Sequence, residues 1–153
     1  MDSYAFALVP RDAEGIEVKG YKTYDGFVSG ELVFKNCKPE ALISDENSLE
    51  VLENVILDAL VCICSEAIGA MEKSYQLTIE YTKQREQFGQ SLSKFQALQH
   101  RMVDMFMETE YAKSFLIKVL ATEDDNEKVK LTYGLKNQIS KAGKQVGEEA
   151  VQL

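Results

Sequence analysis

The sequence predicts an α+β chain, mainly α, in which a short antiparallel β segment is followed by three long antiparallel helices. Three observations carry this. Residues 1 to about 43 run in short apolar and aromatic stretches with period-two alternation, cut by glycines. From Asn47 the apolar period changes to 3.6 and holds to the end of the chain. Only short polar breaks interrupt the helical pattern, which makes the helices antiparallel neighbours. Strands first and helices after segregate into layers, with a β part over 1–45 and a helical part over 46–153.

In the β part, YAFALV is a short apolar run and RDAEG a turn, and GIEVKGYKT and GELVFKNC each alternate. Gly15, Gly20, Gly26 and Gly30 punctuate these runs as turns or bulges, without a phosphate-loop pattern. Three strands alone make a weak sheet with open edges, so the chain reads as parts of two domains, each incomplete.

Asn47 with Glu50 three residues on is a capping-box-like start for the first helix. Its apolar stripe is Leu52, Ile56, Leu60, Ile63, Ala67, Met71, Ser74, Thr78 and Tyr81, with no proline. The helix should stop between Gln84 and Phe88, with Gly89 as a left-handed cap. Ser93 and Gln96 form a second capping box, followed by the stripe Phe95, Leu98, Met102, Met105, Ala112, Leu116 and Val119. EDDNE, residues 123–127, is a solvated loop whose aspartates suit the positive start of a helix. The third helix runs through Val129, Tyr133, Ile139, Ala142 and Val146. Gly134, Ser140, Gly143 and Gly147 leave room for a close neighbour. The pattern reaches Leu153 without a stop signal, a hint that the chain was cut.

Composition excludes several classes. The 153 residues carry 17 Lys plus Arg against 25 Asp plus Glu, a formal charge of -8, which disfavours a nucleic-acid backbone as partner. MDSYAFALVPRDAEG lacks the basic start of a signal peptide. VILDALVCICSEAIGAM is the most apolar stretch, but Asp58 and Glu66 interrupt it, so it reads as a core helix and not a membrane span. Three cysteines, Cys37, Cys62 and Cys64, point to a reducing compartment such as the bacterial cytoplasm. On a helix Cys62 and Cys64 point about 200° apart, which does not suit a shared metal. His100, the single histidine, reads as a partly exposed structural residue beside Arg101. No metal site and no catalytic residue is assigned.

The stretch REQFGQSLSKFQALQH, 85–100, breaks the helical pattern with a cation and an aromatic. By chemistry alone, Arg85 either complements a helix C-terminus or grips an anion with its planar guanidinium. Phe88 can be the hydrophobic plug of a helix corner, and Gln96 is already used by the capping box.

YTKQREQFGQSLSKFQALQHRMVDM resembles the acyl-CoA dehydrogenase signature, roughly Y-x-x-x-R-x-Q-F-G-x-x-L-x-x-F-Q-x-x-Q. Tyr81, Arg85, Gln87, Phe88, Gly89, Leu92, Phe95, Gln96 and Gln99 all fall in place. The first 40 or so residues look like later strands of that family's middle β-domain. The end KQVGEEAVQL looks like the approach to its Gln-x-x-Gly-Gly flavin motif. The resemblance implies an incomplete C-terminal four-helix bundle, FAD as cofactor and an acyl-CoA substrate oxidised at the α,β bond. It also implies an electron-transfer partner and a homo- or hetero-oligomer, dimer or tetramer.

By the same resemblance, Arg85 faces the FAD diphosphate of a neighbouring subunit. Gln87 and Phe88 lie near the diphosphate and adenine, Phe95 and Gln96 near the adenosine, and Gln152 in the flavin motif. The positions where some members place a base and an arginine hold Ala59 and Leu60 here, and Asp58 is off by about 100° around the helix. ALVCICSEAIGAME together with the corner is similar to the small subunits of pimeloyl-CoA-type dehydrogenases, which work as paired unlike subunits. The rival expectation is a catalytically inactive helical assembly module.

Overall fold

The computed structural model describes residues 4–43 and 47–153. It divides into two compact units, residues 1–53 and 54–153. In the first, β1 (Phe6–Leu8) pairs antiparallel with β4 (Ala41–Ile43), with Ala7 opposite Leu42. β2 (Ile16–Lys22) and β3 (Val28–Phe34) form a hairpin, with Gly20 opposite Gly30. β4 is a strand that the alternation pattern did not single out. Its three residues are too short to show a period, and pairing with β1 defines it.

The hairpin turns through Tyr24, Asp25 and Gly26, closed by Thr23 N donating to Phe27 O at 2.9 Å. Gly26 takes φ +88, which suits the last residue of a three-residue hairpin loop. The Thr23 hydroxyl and the Phe27 N–H both donate to Asp25, which holds its carboxyl below the usual range. Gly15 is needed at the hairpin base. It has φ +86, and a Cβ there would sit 2.2 Å from the Lys35 carbonyl oxygen. Lys35 N donates to Gly15 O at 2.7 Å across the same contact.

Three long helices follow the strands. α1 spans Ser48–Gln84, α2 Gln96–Ala121 and α3 Asp125–Gln152. α1 starts where the Asn47–Glu50 pattern placed it, with Val51 N donating to Asn47 O at 3.0 Å. Asp124 caps α3, its carboxylate accepting from Glu127 N at 2.7 Å. The loop is shorter than the expected 123–127, because Asp125–Glu127 already form the first turn of the helix, where acidic groups suit its positive end.

The core joins Cys64, Ile68, Met71 and Tyr75 of α1, Met105, Ala112 and Val119 of α2, and Leu135, Ile139, Ala142 and Val146 of α3. The α2 stripe is as expected. The α1 stripe is not. Met71 and Thr78 are buried, but Ile63 and Tyr81 are each 53% exposed, and Leu52 and Ile56 are exposed as well. The buried face runs one position further along, through Cys64, Ile68, Tyr75 and Thr82. α1 is apolar on adjacent faces, so period alone fits two of them. Packing against α2 and α3 selects between them.

Threonine explains much of the difference. The buried threonines Thr78, Thr109 and Thr132 each donate to the carbonyl four residues back, and Thr82 to Ile79 O. A back-bonded hydroxyl is satisfied inside its own helix, so the residue packs as a small hydrophobe. Thus Thr132 is buried on α3 and the expected Tyr133 is 54% exposed.

The small residues of α3 divide as well. A Cβ on Gly134 would meet the Phe115 ring at 3.2 Å, so Gly134 marks a close approach of α2. Nothing lies within 4 Å of the equivalent point on Gly147.

Ion pairs tie the helices together. Lys113 of α2 reaches Glu72 of α1 at 2.8 Å and Glu110 at 2.9 Å, and both carboxylates raise its pKa. Arg101 of α2 pairs with Glu149 of α3. Cys64 is buried and its thiol is pushed up by desolvation, whereas Cys62 is exposed. No helix among the described residues is long and apolar enough to cross a membrane. No cluster of His, Cys, Asp or Glu among them could hold a metal ion.

Candidate functional site

The corner between α1 and α2 is a small built object. α1 ends at Gln84, and Arg85 N donates to Tyr81 O at 2.9 Å. A miniature hairpin follows: β5 (Glu86–Gln87) pairs with β6 (Gln90–Ser91), Gln87 facing Gln90. Leu92 N then closes back onto Arg85 O at 2.8 Å. A 3-10 turn, Leu92–Lys94, leads into α2.

Gly89 therefore is not the helix cap the sequence suggested. Phe88 and Gly89 are the two central residues of the hairpin, at φ +55 and +79. Both values lie in the left-handed region, the signature of a type I′ turn. Glycine adopts this freely, whereas for a phenylalanine it costs about 1–2 kcal/mol. The ring gains little burial in return, since it is 92% exposed. Nor is Phe88 the plug of the corner. Its only ring partner among the described residues is Phe95, met edge-on at 6.2 Å and 83°.

The expected Ser93–Gln96 capping box is absent. Ser91 takes that place: its Oγ accepts from Ser93 N at 3.3 Å and donates to Thr82 O at 2.9 Å. Phe95 occupies the N-cap of α2 with no side-chain cap bond. Ser93 O instead accepts from the Gln99 side chain at 2.8 Å. The reason is geometric: the 3-10 turn between hairpin and α2 shifts the true cap two residues back. The Gln96 side chain is thereby released.

Arg85, Gln87 and Gln96 are exposed, and none makes a side-chain hydrogen bond or ion pair among the described residues. The corner thus presents a free guanidinium, two free amides and two aromatic rings on a hydrogen-bonded frame. Such a donor set fits a diphosphate with an attached aromatic base.

Gln152 lies elsewhere, on an open groove of about 590 Å³ with Ser74, Leu77, Thr78, Tyr81, Ala150, Val151 and Leu153. Tyr81, one turn before Arg85, is the link between groove and corner. Sequence reasoning missed Ser91 and Thr82. A serine next to a glycine-containing turn was the available signal, read as belonging to Ser93. Ala59 and Asp58 are exposed and Leu60 is half-buried, and none adds a carboxylate to the corner.

The sequence model for the acyl-CoA dehydrogenase C-terminal domain matches residues 50–153. The chain belongs to the acyl-CoA dehydrogenase family. Among curated relatives of this acyl-CoA dehydrogenase chain, the acyl-CoA dehydrogenase IpdE2 of Mycobacterium tuberculosis is 45% identical over 56 residues, 37% of this chain and 18% of that protein. The short-chain-specific acyl-CoA dehydrogenase of Megasphaera elsdenii is 28% identical over 127 residues, 80% of this chain and 33% of that protein.

Among solved structures, butyryl-CoA dehydrogenase from Megasphaera elsdenii superposes with a TM-score of 0.80 at 25% identity, covering 92% of this chain and 39% of that one. The prolyl acyl carrier protein oxidase AnaB gives 0.81 at 26%, covering 94% and 40%. The chain spans a third or less of these curated relatives.

Proposed function

We propose that this acyl-CoA dehydrogenase chain is part of an FAD-dependent enzyme that oxidises the α,β C–C bond of an acyl-CoA thioester. Residues 1–45 are the end of its middle β-domain, and 46–153 the first helices of its C-terminal domain. The observation that carries the reading is the free Arg85 guanidinium beside the strained, exposed Phe88. A ring held open at a conformational cost is a feature of binding sites more than of scaffolds.

In this reading Arg85 grips the diphosphate through parallel N–H donors. Gln87 offers its amide to the same oxygens. Phe88 and Phe95 flank the adenine, with Gln96 on the adenosine side, and Gln152 approaches the flavin from the end of α3. Bound FAD supplies the hydride-accepting chemistry. This chain's residues bind and orient it, and none of them serves as the base. The corner serves a neighbouring subunit's cofactor, so the working form is a homo- or hetero-oligomer, dimer or tetramer, in a reducing compartment such as the bacterial cytoplasm. A small-subunit role in a pimeloyl-CoA-type enzyme and an electron-transfer partner complete the proposal.

The rival is a helical assembly module without chemistry. Val103, Met107 and Tyr111 expose 52–60% of their surface on one face of α2, outside the core, a feature that fits either reading because both need a subunit interface. Titrating the chain with FAD separates the two. Bound-flavin absorbance that Arg85→Ala abolishes supports the cofactor role. No flavin uptake in any oligomeric form leaves assembly alone.

A further inference from the structure

We infer that Ser91 is the positioning residue of the corner, its single hydroxyl holding the Arg85–Phe88 hairpin in the conformation that meets a ligand. The inference rests on the cofactor reading above.

A serine hydroxyl has one proton to give and two lone pairs. Ser91 uses all of them. It donates to Thr82 O at 2.9 Å, one of the carbonyls near the end of α1. It accepts from Ser93 N at 3.3 Å, capping the turn that leads into α2. The Ser93 hydroxyl lies 2.7 Å away. Because the Ser91 proton is committed to Thr82, the Ser93 hydroxyl is the donor of that pair. One side chain therefore caps the helix entering the corner and the turn leaving it.

The hairpin needs such a clamp. Its ladder is two residue pairs long, and so short a ribbon is not stable by itself in water. Phe88 adds backbone strain that favours opening. Thr82 is a firm anchor: it is fully buried, and its own hydroxyl lies 3.3 Å from Met102 Sδ of α2. The chain of contacts runs from the core through Thr82 to Ser91, and through the strand pair to Arg85 and Phe88.

The test compares the full chain with Ser91→Ala and Ser91→Thr, using ADP as the probe for the diphosphate–adenine half of the ligand. Ser91→Ala should speed amide exchange at Leu92 and Ser93 roughly tenfold and weaken ADP binding by about the same factor, as expected for a lost cap. The melting temperature of the helices should stay close to that of the unsubstituted chain. Ser91→Thr keeps the hydroxyl and should restore both protection and affinity. Unchanged exchange in Ser91→Ala, faster exchange with unchanged ADP affinity, or failure of threonine to rescue either would each overturn the inference. If the unsubstituted chain takes up no ADP, the cofactor reading falls. The exchange comparison then decides by itself whether Ser91 sets the corner.

Discussion

Phe88 meets Phe95 edge to face, ring centroids 6.2 Å apart, although the Phe88 backbone sits at φ +55 and the residue is 92% exposed. So exposed a contact offsets only part of the backbone strain of about 1–2 kcal/mol. At most helical or extended positions alanine is the better replacement, but here glycine is. Phe88→Gly should unfold at a higher urea concentration than Phe88→Ala, by about 1 kcal/mol. Equal midpoints would show that the turn relaxes when the ring is gone.

Arg85 has no partner to lose among the described residues, so its removal should leave the fold alone. Arg85→Ala should change stability by less than about 0.5 kcal/mol while reducing FAD affinity at least tenfold. Arg85→Lys should recover only part of that affinity, because an ammonium cannot grip two oxygens in parallel. Calorimetric titration with FAD reads both. A large loss of stability in Arg85→Ala would place the residue in the scaffold.

Gly134 and Gly147 predict opposite engineering outcomes on one helix. Gly147→Ala should stabilise by about 0.5–1 kcal/mol, since a methyl there meets open space. Gly134→Ala gains the same helix propensity but drives a Cβ to 3.2 Å from the Phe115 ring. It should melt clearly below Gly147→Ala in a thermal scan, and identical curves would refute the close approach.

Lys113 gives an alkaline signature. Glu72 and then Glu110 raise its pKa above the unfolded value. The stabilisation is therefore complete below the unfolded lysine pKa of about 10.4 and is lost as pH climbs through the folded value. The group is partly solvated, so its worth is about 1 kcal/mol or less. Urea unfolding of the chain and of Lys113→Met should differ at pH 8, and the gap should hold up to about pH 10.4 and narrow steadily above it. A gap that stays constant above that pH would contradict the pairing.

Much of this was legible in the residues. The change from period two to period 3.6 placed the helices, and the acidic loop placed the start of α3. The spacing of Arg85, Gln87, Phe88 and Gly89 carried the resemblance that the family match supports. What was not legible depends on contacts between elements. Adjacent apolar faces on α1 cannot be ranked without knowing which neighbour approaches. Back-bonded threonines look polar in the sequence and pack as apolar. The cap on Ser91 was assigned to Ser93 because a 3-10 turn between strand and helix has no hydrophobic period to betray it. Phe88 in a left-handed conformation runs against residue preference, and such violations gather where a site asks for them.

α1 is an uninterrupted helix from Ser48 to Gln84, and Thr82 is anchored in the core three residues before Arg85. Each residue added to a helix rotates everything after it by about 100° and advances it by about 1.5 Å. A single insertion between Cys64 and Thr82 would either pull the packed face out of phase or swing the guanidinium a quarter-turn around the rod. Changes of about seven or about eleven residues return the phase to within about 20°. The length of this segment thus acts as a ruler, and homologous chains that present the same corner should tolerate substitution along it far better than insertion or deletion.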